Sequence, residues 1–438
     1  MYTKIETMEK DEIVKLNLTT LSYLYYYPAK HKKFESIFNG IRSFLGDKFK
    51  SDLYDPEIWM IVKMLTSSLK VNKKGCWFPR KYDTYVEFNR TSRNKMKLSR
   101  DRICFILDYM EKLGHVDMYV GCKNWSHESD YDESITSRVV FKESMVSLVG
   151  DDILDEVKSP YDSLPILEIK KGKDKKPLKN ISKFKGVNLK KNNIKRYNEF
   201  LKDQVISLFG ETHNLHFKRI FIEDLHGCGR WFDCGKFQTL KKELRKSIKI
   251  NGNKTTEIDL KSLHTNLIAT LLGVDLQGKD PYKIYDPELV EWIGGLDNLR
   301  ALSKQAMMCI INCKTKHGGK KALYNSYEKE RNDSDSIMFN LEDDKDKFDK
   351  IVDMLLEHNK ELVFFGKGSY DYKILQNIDS DICEVVLMKC MNRGFLALPY
   401  HDSWVCELSR QEDLIQVLKE SWFSVLGVML NFNYKIEY

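Results

Sequence analysis

The spacing of apolar residues changes period several times along the chain, and each change predicts an element. From residue 249 to 273 it changes twice. Asn251-Gly252 is a strong signal for a two-residue hairpin turn. An extended run follows at 255–260, and then Leu263, Leu267, Leu271 and Leu272 recur at helical spacing. Asp259 therefore stands where a strand stops and a helix starts. From 394 to 408 two apolar runs flank His401-Asp402-Ser403, which predicts a hairpin with an acidic tip. From 299 to 313 a helix is predicted with Arg300, Lys304 and Met308 on one face and Leu302, Ala306 and Ile310 packed inward.

The remaining pattern divides the chain. Residues 1–80 read as a mainly helical region rich in aromatics. In 81–150, Ser99 is a good N-cap for a helix built on Ile103, Ile106, Leu107, Met110 and Leu113, stopped by Gly114. Two strands follow, joined by a polar loop at 124–136, and helix plus hairpin suggests a winged-helix-like module. Arg90, Arg93, Lys95, Lys97, Arg100 and Arg102 would meet nucleic-acid phosphates there, with protein docking as the alternative. Residues 151–193 read as a basic linker, either solvated or tracking phosphates; twelve Lys and Arg stand against one Asp between 170 and 196. A helix is predicted within 194–217, a long helix at 375–391 with Ile378, Ile382, Val386 and Cys390 inward, a closing helix at 411–426 and a last strand after it. The run around Lys314–Lys321 reads as a flexible basic patch that either touches template or phosphate or is a plain loop, and the run at 332–350 as a solvated loop.

Composition narrows the class. The chain has 438 residues, 42% hydrophobic, with 22 Phe, 22 Tyr and 7 Trp. That supports a large core and excludes a disordered chain. Net charge is only +7, so basic character is local. None of the ten cysteines is in C-x2-C spacing, and reduced thiols of a cytoplasmic protein are expected. No apolar run reaches membrane-spanning length and the start carries no apolar leader, so neither membrane nor export is expected.

Two acidic strand tips about 140 residues apart suit a site for two divalent cations that transfers phosphoryl groups. Mg²⁺ takes hard oxygen ligands and keeps several waters, so few carboxylates suffice. Arg300 and Lys304 on one helical face suit a triphosphate.

The order Asp259, Arg300-x3-Lys304, His401-Asp402 resembles motifs A, B and C of A-family DNA polymerases and of the related single-subunit RNA polymerases. Gly229-Arg230, Gln238-Thr239-Leu240 and Arg245 resemble the segment that precedes motif A in those enzymes. The 194–438 region is also similar to A-family-like polymerases of mobile genetic elements, including the primase-polymerase group of staphylococcal chromosome cassettes. Gly229-Arg230-Trp231-Phe232, Lys242-Glu243-Leu244-Arg245, Glu257-Ile258-Asp259 and Ser262-Leu263-His264 carry that likeness.

The resemblance implies an α+β fold with a right-hand polymerase core: a palm with an antiparallel sheet, helical fingers and a thumb. It would span 194–438, with thumb and palm at 194–275, fingers at 276–374 and palm again at 375–438. It implies a DNA primase-polymerase using two Mg²⁺, with Mn²⁺ as a substitute, held by Asp259, Asp402 and the backbone carbonyl of Leu260. Arg300 and Lys304 would neutralise phosphates. Arg230 would reach the primer end, His401 would orient its phosphate, and His264 would lie under the sugar. Gln238 and Asn312 would complete the nucleotide and primer contacts, and Gln376 and Asn377 would face the template. Partners would be single-stranded or primed DNA and dNTPs, or rNTPs, with a small single-strand-binding protein and a replicative helicase.

Three departures matter. His264 stands where the family has the Glu that gates the sugar. Asn312-Cys313 replaces the Tyr-Gly after motif B, which implies modest fidelity. Ser403 follows Asp402, as in the RNA polymerases. A single-subunit RNA polymerase-like enzyme and a non-catalytic replication initiator are the alternatives.

Overall fold

A computed structural model describes residues 32–78, 97–121, 136–157, 159–172, 176–235, 237–276, 278–333, 341–430 and 434–437, together with positions 3, 4, 8, 12, 16, 20, 21, 80, 85 and 89. Side chains at 162, 163 and 327–343 are not described. The fold is mixed α+β and forms two compact units. The first comprises Met1–Pro165, Ile206–His216 and Asp233–Lys241; the second comprises Ile166–Val205, Phe217–Phe232 and Lys242–Tyr438.

In the first unit, α1 (Glu35–Leu45) and α2 (Asp55–Lys70) precede strand β1 (Gly75–Trp77). Helix α3 (Arg100–Lys112) begins at Ser99, whose Oγ accepts from Arg102 N as the sequence predicts. Strands β2 (Val116–Val120) and β3 (Arg138–Phe141) then pair antiparallel, and β3 also pairs with β1. The sheet thus draws in a strand from before residue 81. Arg102 is not a free phosphate ligand. It pairs at 3.1 Å with Glu57, which is fully buried, because an unpartnered carboxylate there would be costly. Arg100 contacts Asp101. Arg90, Arg93, Lys95 and nearly all of the polar loop at 124–136 lie outside the described residues.

The second unit holds two sheets. In one, β4 (Leu167–Lys171) runs parallel to β5 (Phe217–Ile222), which neighbours β6 (Cys228–Asp233). Alternate residues of β5 are buried, the period expected of a strand with one covered face. Part of the stretch expected as a linker is therefore a sheet strand, and more of it is α4 (Val187–Lys202). Lys190 on α4 is drawn to Asp381 at 2.7 Å rather than left for phosphates.

The other sheet is antiparallel. Strands β7 (Lys249–Ile250) and β8 (Asn253–Leu260) join through Asn251 (φ 52) and Gly252 (φ 81). Two successive positive φ values are what this hairpin turn requires. Helix α5 (Leu263–Leu272) follows and ends at Gly273, φ 69. Strands β9 (Ala397–Tyr400) and β10 (Ser403–Glu407) form the predicted hairpin, and β10 pairs with β8. The last strand, β11 (Tyr434–Glu437), pairs with β8 as well.

Helices complete the second unit. In α6 (Leu296–Asn312), Leu302, Ala306 and Ile310 are buried while Arg300, Lys304 and Met308 are exposed. Two expectations of loops fail beyond it. The basic run begins α7 (Lys316–Asp333), whose Gly319 lies against Ile310 and permits close helix packing. Residues from 341 onward form α8 (Leu341–His358), anchored by buried Phe348, Ile351, Val352 and Leu355 at helical spacing. The charged residues around them are its outer face. Helix α9 (Tyr372–Asn392) leads into β9, and α10 (Gln411–Leu426) buries Trp422.

Helix α9 is pinned by a buried cation. Arg219 on β5 is fully buried and bonds Gly229 O at 2.6 Å, Ser380 Oγ at 2.8 Å, Asp381 Oδ1 at 2.9 Å and the Glu384 carboxylate. The glycines of Gly227-Cys228-Gly229 serve the same packing. A Cβ at Gly227 would strike Ile222 O and one at Gly229 the Phe221 ring, so the close approach is to the neighbouring strand. Removing one partner of such a network strands the others. Arg219→Met should lose about 3 kcal/mol of stability, measured by urea denaturation; a loss under about 1 kcal/mol would assign the anchoring elsewhere.

Candidate active site

The register of the antiparallel sheet brings the two aspartates together. Asp259 pairs with Ser403 across β8 and β10, and Leu260 N donates to Asp402 O at 3.3 Å. Asp402 thus occupies the hairpin tip beside the end of β8. The backbone is strained on both sides: His401 has φ 61 and Ser262 has φ 54. Left-handed non-glycine residues cost energy and concentrate where geometry is over-determined.

The Asp259 carboxyl is pushed up to about 6, by burial first and by the charge of Asp402 second; Lys242 and Lys304 oppose the shift. Lys304 is thus close enough for its charge to act on Asp259. Arg300 is not aimed there: its Nε donates to Asp280 Oδ2 at 2.7 Å beside a cavity of about 200 Å³ lined by Lys261, Ser262, Asn266, Asp275 and Lys279 among others.

Arg230 and His264 meet on the far side of the site. Arg230 donates to Asp379 Oδ2 through Nε at 3.3 Å and through a terminal nitrogen at 3.1 Å. His264 Nε2 lies 3.5 Å from that guanidinium and 4.0 Å from the same carboxylate oxygen. Burial and Arg230 hold His264 down to about 4, so the ring is neutral near physiological pH. Burial drives Asp379 up to about 7 against the pull of Arg230. The His401 ring packs edge-on against Phe232 at 6.5 Å.

Three expected residues are engaged by other partners. Gln238 belongs to the first compact unit, where its side chain accepts from Asp233 N at 2.8 Å. Asn312 bonds back to Met308 O, one turn earlier on its own helix. Asn377 is buried and donates to the Leu225 and Cys228 carbonyls, so it braces β6. Gln376 beside it is half-buried.

Several residues of the site are not among those expected. Glu257 is buried, accepts from Ser403 Oγ at 2.5 Å and pairs with Arg245 at 3.1 Å. Glu437 on the last strand takes both Lys242 and Lys435 at 2.6 Å, and Lys242 lies 3.9 Å from Asp259. Glu257 was findable: it lies two residues before Asp259, on the same strand face. Asp379 lies one turn before Cys383 on a helix face that sequence alone reads as apolar. Among the described residues no group of three or more His, Cys, Asp or Glu is arranged to hold a metal ion.

No protein-family model and no curated protein matches the chain. Among solved structures, the chain is similar to the POL domain of Pol1 from M. smegmatis in complex with DNA primer-template and dNTP. Identity is 15% and the TM-score 0.28, over 63% of this chain and 58% of that one. The chain thus spans under two thirds of that neighbour's length. Among the described residues no helix is long and apolar enough to cross a membrane.

The electrostatics make a prediction with a definite sign. The folded-state value of Asp259 lies above its ordinary 3.8, so stability falls as pH rises through the window from about 4 to 6 and is level above it. Asp259→Asn removes that penalty. Discounted for the one-third exposure of the side chain, the gain should be about 1 kcal/mol near pH 7.5 and absent below about pH 4. Thermal melts of the metal-free protein check this; a lower Tm for the variant near neutral pH would overturn it.

Proposed function

We propose that the chain is a template-dependent nucleotidyltransferase, a DNA primase-polymerase of a mobile genetic element that extends a 3′-OH. The observation that carries this reading is the register of β8, β9 and β10, which sets Asp259 beside Asp402 in the order of the polymerase-like motifs. The cost of that arrangement supports it further. A scaffold gains nothing from holding a half-buried carboxylate against a second one on strained backbone; a cation site does.

The donor set suits Mg²⁺, with Mn²⁺ as a substitute: two carboxylates that repel each other, the Leu260 carbonyl at a strand end, and no soft ligand. When bound, two such ions would acidify the attacking 3′-OH and neutralise the triphosphate and the leaving pyrophosphate. The chain's own residues do the rest. Lys304 presents its ammonium toward phosphates near Asp259, adding fixed positive charge where negative charge develops. Arg300 joins it on exchanging Asp280 for phosphate. Arg230 and the neutral His264 contact the sugar and primer end, and His401 lies at the hairpin tip beside them.

A preference for rNTPs is the second reading. Ser403, in the place of an acidic residue, is committed to Glu257, and His264 replaces the acidic sugar gate. DNA template and nucleotides are the proposed partners; a single-strand-binding protein and a helicase rest on the resemblance alone.

The decisive assay is nucleotide incorporation on single-stranded DNA with Mg²⁺, with and without an annealed primer, offering dNTPs and rNTPs separately. Unprimed product supports a primase-polymerase, and the preferred nucleotide chooses between the two readings. No product in any lane, with DNA binding intact, favours a replication initiator. Asp259→Ala and Asp402→Ala should each abolish incorporation while DNA binding persists, and retained synthesis in either would refute the site. Lys304→Ala should raise the nucleotide KM about tenfold with a smaller change in kcat; unchanged nucleotide kinetics would remove Lys304 from the triphosphate site.

A further inference from the structure

Asp379 is a carboxylate at the site that the motifs do not account for. It is 2% exposed, and it belongs to α9 rather than to either strand tip. One of its oxygens, Oδ2, receives two bonds from Arg230 and lies 4.0 Å from His264 Nε2. Among the described residues, its other oxygen has no hydrogen-bond partner. Beside the carboxylate is a cavity of about 10 Å³ lined by Arg230, Trp231, Ser380, Cys383, Pro399 and His401. That is room for a single water or hydroxyl group.

Burying a carboxylate is costly, and a well-packed apolar residue would serve α9 at least as well. What Asp379 adds is direction. Arg230 is one-quarter exposed, and its long side chain has many rotamers in water. Two bonds to one fixed oxygen leave it one. The same contact sets a guanidinium nitrogen 3.5 Å from His264 Nε2, so the neutral ring presents a defined edge.

We propose that Asp379 is a positioning residue that locks Arg230 and His264 into one arrangement and thereby sets how strictly the site selects the sugar of the incoming nucleotide. This rests on the nucleotidyltransferase reading, and its failure is distinguishable from the failure of that reading.

The test uses the full chain with Asp379→Asn, Arg230→Lys and the double variant, each assayed for kcat and KM with dNTPs and with rNTPs. Asp379→Asn should change the dNTP-to-rNTP ratio of kcat/KM about tenfold, mostly through KM, with the melting temperature unchanged or raised. In the Arg230→Lys background the same substitution should add little, because the two side chains act as one unit. Asp379→Glu should recover part of the selectivity by restoring the charge. Fully additive effects of the two single substitutions, or an unchanged sugar ratio in an active Asp379→Asn enzyme, would overturn the role of Asp379 alone. A wild-type chain that incorporates neither nucleotide would overturn the reading beneath it.

Discussion

The backbone pairing of one strand fixes the chemistry of the second unit. Strand β8 is bonded along one edge by β10 and along the other by β7 and β11. Its register leaves no freedom. A slip of one residue would turn Asp259 away from the hairpin tip and put Ile258, fully buried here, in its place. Side chains buried on both faces make that slip prohibitive, because Thr256 and Ile258 would exchange environments with Glu257 and Asp259. The position of a carboxylate that carries a proposed reaction is thus enforced by its inert neighbours.

The same register organises charge. On the face of β8 that carries Glu257 and Asp259, Glu257 is met by Arg245 and Ser403, and Glu437 by Lys242 and Lys435. Those carboxylates are satisfied within the protein. Asp259 receives the more distant Lys242 and the charge of Lys304, against the repulsion of Asp402. The local imbalance is selective: structural carboxylates are neutralised and the pair at the tip is left wanting positive charge. A surface that merely tolerated acidic residues would not sort them in this way.

How much of this was legible in the sequence depends on the range of the cause. The Asn251-Gly252 hairpin, the Ser99 cap, the acidic hairpin tip and the exposed Arg300, Lys304, Met308 stripe are local, and local chemistry dictated them. The misreadings arise where distant contacts decide. Lysines and acids around 314–321 and 341–350 look like loops until Ile310 and Phe348 supply a packing face. Arg102 reads as a phosphate ligand until Glu57, 45 residues earlier, claims it. Asn377 reads as a template contact until the carbonyls of Leu225 and Cys228 take its amide. Gln238 matched by order along the chain, and its side chain takes the Asp233 amide. Asp379 was hidden by its setting, since a carboxylate on a helix with Ile382, Val386 and Cys390 inward carries no periodic signature of its own.

Two arginines on neighbouring strands explain why that helix matters. Arg219 reaches Ser380, Asp381 and Glu384 from β5, and Arg230 reaches Asp379 from β6. Both land on one stretch of α9, within little more than a turn. One arginine is sealed; the other remains partly open and is held by its guanidinium. Helix α9 then runs into β9, and β9 ends at the tip that carries Asp402. The residue that grips Arg230 and the residue that faces Asp259 are therefore attached to the same continuous element. A shift of α9 along its axis would move both, so the buried Arg219 cluster constrains the spacing between the guanidinium and the carboxylate pair. Stability and chemistry share that helix, which is why so much buried charge is tolerated along one stretch of it.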